Sequence, residues 1–414
     1  MIKNKIFQDS ILIIFFSNSA NLINMLIQIL LSKELNYSDF SLYYSLIALI
    51  SYFIIPAATI GMYLQKRFFD LIKKNKDIYL YFWISSKKIF VFFLILFLIF
   101  LSSLKTMQES FNNENLYVFF NFFLVLTLII YMNWPISVNI AFKNYKINSI
   151  IYFCTSSLKL LSIFLLFYIF NRSNLTWVVN INLLFTFLLT FFYFIPHKEN
   201  YIKKNNQIKK ISNKIFDNDF KYYVIHSLLI PLILCTDILI AKIYFTPADA
   251  SKYIIASSLS KIVFFITSGL YSMIFNESLG FSKKNIIITT FLSLCISFIT
   301  MMGFIYFGNY IIEFIYGEKF EGSHKYLIFL SGAMFVICLC KILCDILIGQ
   351  KKFGFIKYQI LSYCFFIYLM TNHFTELVDL ARNVFLTSLF LLIFTIFFAT
   401  KNYYNNKNFA IHKL

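Results

Sequence analysis

Residues 9–32 read DSILIIFFSNSANLINMLIQILLS, an apolar run that polar residues interrupt at regular intervals. A helix needs about 20 residues to cross the roughly 30 Å of hydrocarbon in a membrane. The run is long enough for one crossing and too long for the apolar core of a signal peptide. We therefore predict a first membrane-spanning helix here rather than a cleaved leader.

Similar apolar runs follow along the whole chain, and short connections separate most of them. Of the 414 residues, 59% are hydrophobic and 14% are charged, whereas a typical globular domain is about 25% charged. This composition excludes a water-soluble fold and predicts an all-α membrane protein with about twelve transmembrane helices. The predicted spans are 9–32, 40–64, 80–103, 116–141, 148–170, 175–195, 220–245, 253–275, 285–308, 325–349, 354–371 and 381–400.

The basic residues predict the orientation of these spans. If the N-terminus is cytoplasmic, 26 of the 37 lysines and arginines fall in cytoplasmic segments, 8 in outer segments and 3 within spans. An excess of positive charge on the cytoplasmic side is the rule for membrane proteins. We therefore expect a multi-pass protein with both termini in the cytoplasm. The same distribution explains the net charge of +18 without a nucleic-acid partner.

A short motif recurs at an offset of 210 residues. Asp, Ser and Tyr occupy alternate positions of 39–43 and again of 249–253, and Asp9 matches Asp219 in the same register. Chance similarity in so biased a composition is the alternative to an internal repeat. We expect the aspartate at each outer turn to be the N-cap of the helix that follows.

The repeat predicts two similarly oriented six-helix bundles, related by a pseudo-twofold axis along the membrane normal. The N-terminal lobe would comprise residues 1–196 and the C-terminal lobe 220–414, with a short cytoplasmic tail. The lysine-rich segment 197–219 has no apolar run and would be the cytoplasmic linker between them.

The first span carries a polar stripe. Ser17, Asn21, Asn24 and Gln28 follow one another at intervals of four, three and four residues, which places them on one helix face. The stripe should face either the lobe interior or a wet cleft. Hydrogen bonding between helices is the alternative explanation.

Two charged residues occupy neighbouring spans of the second half. Asp237 and Lys261 each lie 12 residues from Asp249, on opposite sides of the turn, so the sequence predicts a similar depth for both. They could form a structural ion pair. The functional alternative is that Asp237 binds a cation or a proton and that Lys261 adjusts its affinity.

Lys159 stands near the middle of the fifth span, with no acidic residue one turn away. A charge near the bilayer centre costs about 2.5–3.5 kcal/mol and usually faces a cavity or a partner. We therefore predict that Lys159 faces a hydrated pocket that accepts an anion.

Other polar residues of the spans are predicted to be structural. Lys341 and Asp345 lie four residues apart on one helix face and suggest a local ion pair. His226 is expected to be a hydrogen-bonded packing residue. The seven cysteines all lie in apolar runs, where we expect small buried side chains without disulfides or metal.

Enzyme motifs are missing from the sequence. There is no HExxH, GxSxG or Walker-type run, and no outer connection is long enough to form a catalytic domain. We therefore expect a protein that is not an enzyme and uses no cofactor.

Several segments resemble oligosaccharide (O-antigen, Wzx-type) flippases. The stretch 237–245 (DILIAKIYF), with 248–253 (ADASKY) and 256–261, is similar to the start of their second lobe. The first-lobe turn at 37–43 resembles their outer turn, and 315–320 (IYGEKF) resembles the glycine-containing segment before their tenth span. The outer turns depart from the pattern, with serine where glycine is common.

The resemblance implies a transporter of the multidrug/oligosaccharidyl-lipid/polysaccharide exporter superfamily. Such a protein has two lobes around a central cavity and works by alternating access, driven by a proton or sodium gradient. Its substrate would be an undecaprenyl-pyrophosphate-linked oligosaccharide, flipped across the bacterial inner membrane for O-antigen or capsule synthesis. We expect a monomer whose other partners are membrane lipids.

The predicted site combines the resemblance with the polar residues of the spans. An aspartate in the seventh span of related flippases contributes to a sodium site, and Asp237 holds the comparable place. The predicted pyrophosphate-binding residues are Lys159 and Lys261, and the predicted sugar-binding residues are Asn21, Asn24 and Gln28.

Two other functions remain open at this point. A cation-coupled multidrug exporter of the same superfamily would favour carboxylates in its cavity, whereas the central spans here contain more lysines than acidic residues. A membrane polysaccharide polymerase is less favoured, because it typically carries a large outer loop.

Overall fold

The computed structural model describes most of the backbone, and every regular element in the described residues is a helix. Six of the described helices are long and apolar enough to cross a membrane, and a seventh qualifies across a bend. The prediction of an all-α membrane protein is confirmed. The described residues are 2–50, 91, 94–95, 97–98, 101–111, 113, 115–141, 145–172, 174–194, 220–267, 270–271, 274 and 283–411.

The helices form two compact units, Met1–Val224 and Ile225–Leu414. In the first unit, α1 packs along α5, α4 packs along α6, and α5 also contacts α6. The first turns of α4 are fully buried at Phe119, Phe122 and Phe123. The described helices of this unit are α1 (Ile2–Glu34), α2 (37–50), α3 (101–111), α4 (Leu116–Ala141), α5 (Tyr145–Tyr168) and α6 (Leu175–Phe194).

The second unit is built around one central helix. The described helices are α7 (Phe220–Tyr244), which begins at the end of the first unit, α8 (Pro247–Phe265), α9 (Lys283–Tyr316), α10 (His324–Gly349), α11 (Ile356–Asn372) and α12 (Leu377–Ile411). The central helix is α10, which packs against α8, α9 and α12. The short 3-10 turns Glu318–Phe320 and Phe353–Phe355 precede α10 and α11.

Helix bounds follow the apolar runs closely in several places, whereas α1, α9 and α12 extend seven to eleven residues beyond one end of their predicted spans. The predicted span 116–141 coincides with α4, and 325–349 differs from α10 by one residue. The helix α8 begins six residues before the predicted 253, because Thr246 caps it and Pro247 occupies its first turn. The predicted span 80–103 in large part, the second half of 40–64 and the linker 197–219 lie outside the described residues.

The helices α2 and α8 begin with the same reciprocal cap. Asn36 Oδ1 accepts a hydrogen bond from the Asp39 N–H at 2.7 Å, and Thr246 Oγ1 accepts one from the Asp249 N–H at 3.3 Å. Each aspartate carboxylate accepts in return, from Asn36 Nδ2 at 3.2 Å and from Thr246 Oγ1 at 2.8 Å. The prediction that the aspartates are N-caps is therefore wrong, since the capping residues Asn36 and Thr246 lie three residues earlier. Each aspartate stands in the first turn and bonds the capping side chain through both its backbone N–H and its carboxylate. Residues 36 and 246 keep the offset of 210.

The helix α7 bends by 41° between Ile230 and Leu232, at the position of Pro231. Proline supplies no N–H to the helix ladder, and its ring clashes with the preceding turn. The bend divides the start of α7, which carries His226, from the second part, which carries Asp237.

Gly308 allows α9 to approach α10 closely. A Cβ atom at this position would lie 2.7 Å from His324 Cδ2 and 2.8 Å from Leu327 Cδ2. Because overpacking costs about 1–3 kcal/mol, we expect Gly308→Val to lower the melting temperature of the detergent-purified protein. Gly303→Val is the matched control, because no described atom lies within 4 Å of its Cβ position. Equal melting temperatures of Gly308→Val and Gly303→Val would contradict the close approach of α9 to α10 at Gly308.

Candidate functional site

The polar stripe of α1 runs from an exposed to a buried environment. Asn21 is exposed, Asn24 is half-buried and Gln28 is only 9% exposed. Asn24 Nδ2 donates a hydrogen bond to the Tyr152 hydroxyl of α5 at 3.0 Å. The Gln28 Nε2 atom is buried and has no hydrogen-bond partner among the described residues. The stripe therefore combines one contact between helices, an exposed amide at Asn21 and a Gln28 Nε2 atom without a partner among the described residues. The side chain of Ser17 lies outside the described residues.

Lys159 lies on the same helix as the partner of Asn24. It follows Tyr152 by seven residues, so the two side chains share one face of α5. Lys159 is half-buried, and no acidic side chain of the described residues lies within 4.0 Å of it. In the predicted topology α1 and α5 run in the same direction, which puts Gln28 and Lys159 on the same side of the Asn24–Tyr152 contact. The first unit thus brings Lys159 and the amides of α1 onto one helix pair.

Two further amide contacts hold the first unit together. Asn182 of α6 donates from Nδ2 to the hydroxyl of Tyr43 on α2 at 2.7 Å, and both side chains are buried. Asn121 of α4 donates from Nδ2 to Asn180 Oδ1 on α6, also at 2.7 Å. None of these three asparagines was predicted as a site residue, although an asparagine in an apolar span is a signal for a contact between helices.

Asp237 is the most deeply buried carboxylate of the candidate site. Its side chain is 0% exposed, and Oδ2 accepts hydrogen bonds from the Tyr253 hydroxyl at 3.0 Å and from Ser257 Oγ at 3.1 Å. Its other oxygen, Oδ1, has no hydrogen-bond partner among the described residues. A buried carboxylate with one free oxygen, framed by two hydroxyls, can bind a cation or a proton.

Lys261 stands on the same face of α8 as the two hydroxyls that hold Asp237. It follows Tyr253 and Ser257 at intervals of four residues. No ion pair within 4.0 Å joins Lys261 to Asp237 in the described part of the chain. Equal spacing from the turn predicts Asp237 opposite Lys261, but the carboxylate instead contacts α8 one to two turns nearer to the outer turn.

The polar residues at the start of α7 and the end of α10 have structural partners. His226 Nδ1 lies 3.0 Å from Gln359 Oε1, as expected of a hydrogen-bonded packing residue. Lys341 and Asp345 form the expected ion pair on α10. His226 is therefore paired with Gln359 and Lys341 with Asp345, so these residues are not candidates for binding a ligand.

The described cysteines and acidic residues do not suggest a metal centre. All seven cysteines are free thiols, and Cys338, Cys340 and Cys344 are buried along α10. Among the described residues there is no group of three or more histidines, cysteines or carboxylates that could hold a metal ion.

Comparison with known proteins relates this chain to transporters by fold alone. Neither the protein-family models nor the curated proteins gave a match. Among solved structures, the eukaryotic MATE transporter AtDTX14 aligns with a TM-score of 0.66 at 13% identity, covering 94% of each chain. The lipid II flippase MurJ in an inward closed conformation aligns with a TM-score of 0.65 at 12% identity, covering 97% of this chain and 88% of MurJ.

A third solved structure gives the same result. The Vibrio cholerae MATE transporter VcmN in its bent form aligns with a TM-score of 0.64 at 11% identity, covering 94% of this chain and 95% of VcmN. At these identities the alignments show that the chain has the all-helical membrane fold of these proteins. They reach a lipid II flippase and MATE transporters with similar scores, so the substrate must be argued from the site.

Proposed function

We propose that this protein is a secondary transporter that flips undecaprenyl-pyrophosphate-linked oligosaccharides across the bacterial inner membrane, for O-antigen or capsule synthesis. The observation that carries the proposal is Lys159, a lysine inside an apolar helix without an acidic partner among the described residues. Its fold, shared with MurJ and with MATE transporters, is suited to alternating access. Both termini would lie in the cytoplasm, and the protein would act as a monomer without enzymatic activity.

The substrate poses a specific physical problem. A pyrophosphate and several hydroxyl-rich sugars must pass through hydrocarbon, where each unsatisfied charge or hydrogen-bonding group is costly. Lys159 would neutralise the pyrophosphate in the first unit, and Lys261 is the proposed anion-binding residue of the second unit. The exposed amide of Asn21 and the unpartnered Nε2 of Gln28 offer hydrogen bonds to sugar hydroxyls. Asn24 would exchange its Tyr152 partner for substrate.

Asp237 would couple transport to the movement of a proton or a sodium ion. Its oxygen Oδ1, without a partner among the described residues, and the hydroxyls of Tyr253 and Ser257 on Oδ2 would supply the oxygen ligands at a fully buried carboxylate. One elementary charge that moves through 100 mV provides about 2.3 kcal/mol, which is enough to drive net flipping.

A multidrug exporter is the second candidate, and one observation favours it. The same free oxygen of Asp237 could accept the positive charge of an amphipathic drug, and the MATE transporters align as well as MurJ does. The two functions require opposite headgroup charges, because a cationic drug would be repelled by Lys159 and Lys261.

Headgroup charge therefore decides between the two functions. We expect the purified protein in proteoliposomes with an imposed ion gradient to translocate a fluorescent polyprenyl-pyrophosphate-linked oligosaccharide. A polyprenyl-linked sugar without phosphate and protein-free liposomes are the controls for non-specific lipid movement. If the gradient instead drives uptake of a cationic dye and the pyrophosphate-linked lipid does not move, the flippase proposal is wrong and the multidrug exporter is supported.

A further inference from the structure

A stripe of hydroxyl side chains continues beyond Asp237 along the second unit. It follows α8 at helical intervals of four and three residues as far as Phe264. Thr267 and Tyr271 keep this spacing beyond the end of α8, where the Tyr271 N–H bonds to the Thr267 carbonyl at 3.3 Å. All members except Phe264 carry a hydroxyl group. The stripe consists of Tyr253, Ser257, Ser260, Phe264, Thr267 and Tyr271.

A second stripe on α9 meets the first. Ser297 Oγ lies 3.4 Å from Thr267 Oγ1, which in turn donates to the Tyr271 hydroxyl at 2.7 Å. Ser293 and Thr290 precede Ser297 by four and seven residues, so they lie on the same face of α9. The two stripes therefore join at Thr267 and form one line from Thr290 to Asp237, which we call the hydroxyl track.

The central helix α10 adds a thiol to the track. Ser297 Oγ donates to Cys338 Sγ at 3.6 Å, and the Cys338 thiol donates to the Val263 carbonyl at 3.6 Å. The thiol therefore lies where the two hydroxyl stripes meet. Cys340, two residues further along, is just as deeply buried at 0% exposure.

Both ends of the track carry buried polar atoms without partners. Ser293 is 0% exposed, and neither its Oγ nor Thr290 Oγ1 has a hydrogen-bond partner among the described residues. Asp237 Oδ1 is unpartnered at the other end. An unsatisfied buried hydroxyl costs about 1–3 kcal/mol, and ordered water is the usual way in which proteins satisfy such groups.

We infer that water occupies the hydroxyl track and links the end of the second unit at which α9 begins to the carboxylate of Asp237. The coupling cation would reach Asp237 by this route, within one unit. The inference rests on the proposed role of Asp237. Phe264 is the one apolar member of the stripe, with its ring 5.4 Å from that of Tyr271, and it would interrupt the water file until its side chain moves.

Radiolytic footprinting tests for this water directly. Brief X-ray exposure generates hydroxyl radicals from bound water, and mass spectrometry then locates the oxidised side chains. We expect Cys338 to be oxidised about tenfold faster or more than Cys340, because susceptibility follows access to the oxidant. The two thiols are matched in burial and lie on the same helix. Equal oxidation rates would overturn the inference.

A blocking variant tests the route. Ser293→Leu would fill the track and should reduce Cys338 oxidation to the level of Cys340, whereas Cys295→Leu, on another face of α9, should leave it unchanged. Persistent Cys338 oxidation in Ser293→Leu would show that water arrives by a different route. The proposed role of Asp237 is tested by a different measurement. If Asp237→Asn retains coupling to the ion gradient, that role fails, whereas the oxidation rate of Cys338 still reports whether water occupies the track.

Discussion

A Lys159→Ala variant is expected to lose translocation of the pyrophosphate-linked substrate while the protein accumulates normally in the membrane. A hydrogen bond to a charged group is worth about 1.5–3 kcal/mol, so flipping in proteoliposomes should fall by about 10- to 100-fold. Lys159→Arg should retain much of the activity, because it keeps the charge. Lys33→Ala removes an exposed lysine from the end of α1 and serves as the matched control.

Stability separates this role from a structural one. Lys159 has no acidic partner within 4.0 Å among the described residues, so its removal breaks no ion pair. We therefore expect Lys159→Ala to melt at or above the temperature of the unsubstituted protein, since a charge in an apolar span is costly. Full transport by Lys159→Ala at normal protein levels would remove Lys159 from the site.

Asp237→Asn is expected to uncouple transport from the ion gradient. The substitution keeps the size of the side chain and removes the charge that would bind the ion. If one charge moves through 100 mV, the gradient supports an accumulation ratio of about 50-fold, and this ratio should collapse towards one. Substrate distribution across proteoliposomes with and without an imposed gradient gives the measurement.

Two comparison variants decide whether Asp237 is more than a partner of Lys261. Asp345→Asn removes a buried carboxylate that is ion-paired with Lys341, so it should lower stability and leave coupling intact. The double variant Asp237→Asn/Lys261→Met removes both charges at the candidate site. Restored coupling in the double variant would identify a structural pair and contradict the ion-binding role.

The helices could be read from the sequence because the membrane fixes their length. Apolar runs of the required length predicted α4 and α10 to within a residue. The start of α8 was missed, because Thr246 and Pro247 are polar or turn-forming residues that extend the helix beyond its apolar part. Because the helices begin before the apolar runs do, the caps were predicted at Asp39 and Asp249, three residues after the observed caps Asn36 and Thr246.

The partners of the site residues could not be read in the same way. Helical spacing shows which face carries a polar residue, so the stripe of α1 and the charges of α7 and α8 were visible. It does not show what lies opposite: Asn24 bonds Tyr152, 128 residues away, and Asn182 bonds Tyr43, 139 residues away. Asp237 was expected opposite Lys261, whereas helix packing places it against Tyr253 and Ser257.

The hydroxyl track could not be predicted from the sequence for a related reason. Serine and threonine are common in membrane helices, where most of them bond their own backbone, as Thr300 Oγ1 does to the Ile296 carbonyl at 2.9 Å. Only the packing of α8, α9 and α10 distinguishes Ser293 and Thr290, whose hydroxyls are buried and unpartnered among the described residues.

We propose that Lys159, which has no acidic partner among the described residues, marks a hydrated surface for an anionic headgroup. An experimental structure of the protein with an undecaprenyl-pyrophosphate-linked oligosaccharide tests it most directly. We expect the pyrophosphate oxygens at about 3 Å from Lys159 Nζ, with sugar hydroxyls near the amides of α1. A bound substrate away from Lys159, with the lysine side chain packed against acyl chains, would contradict it.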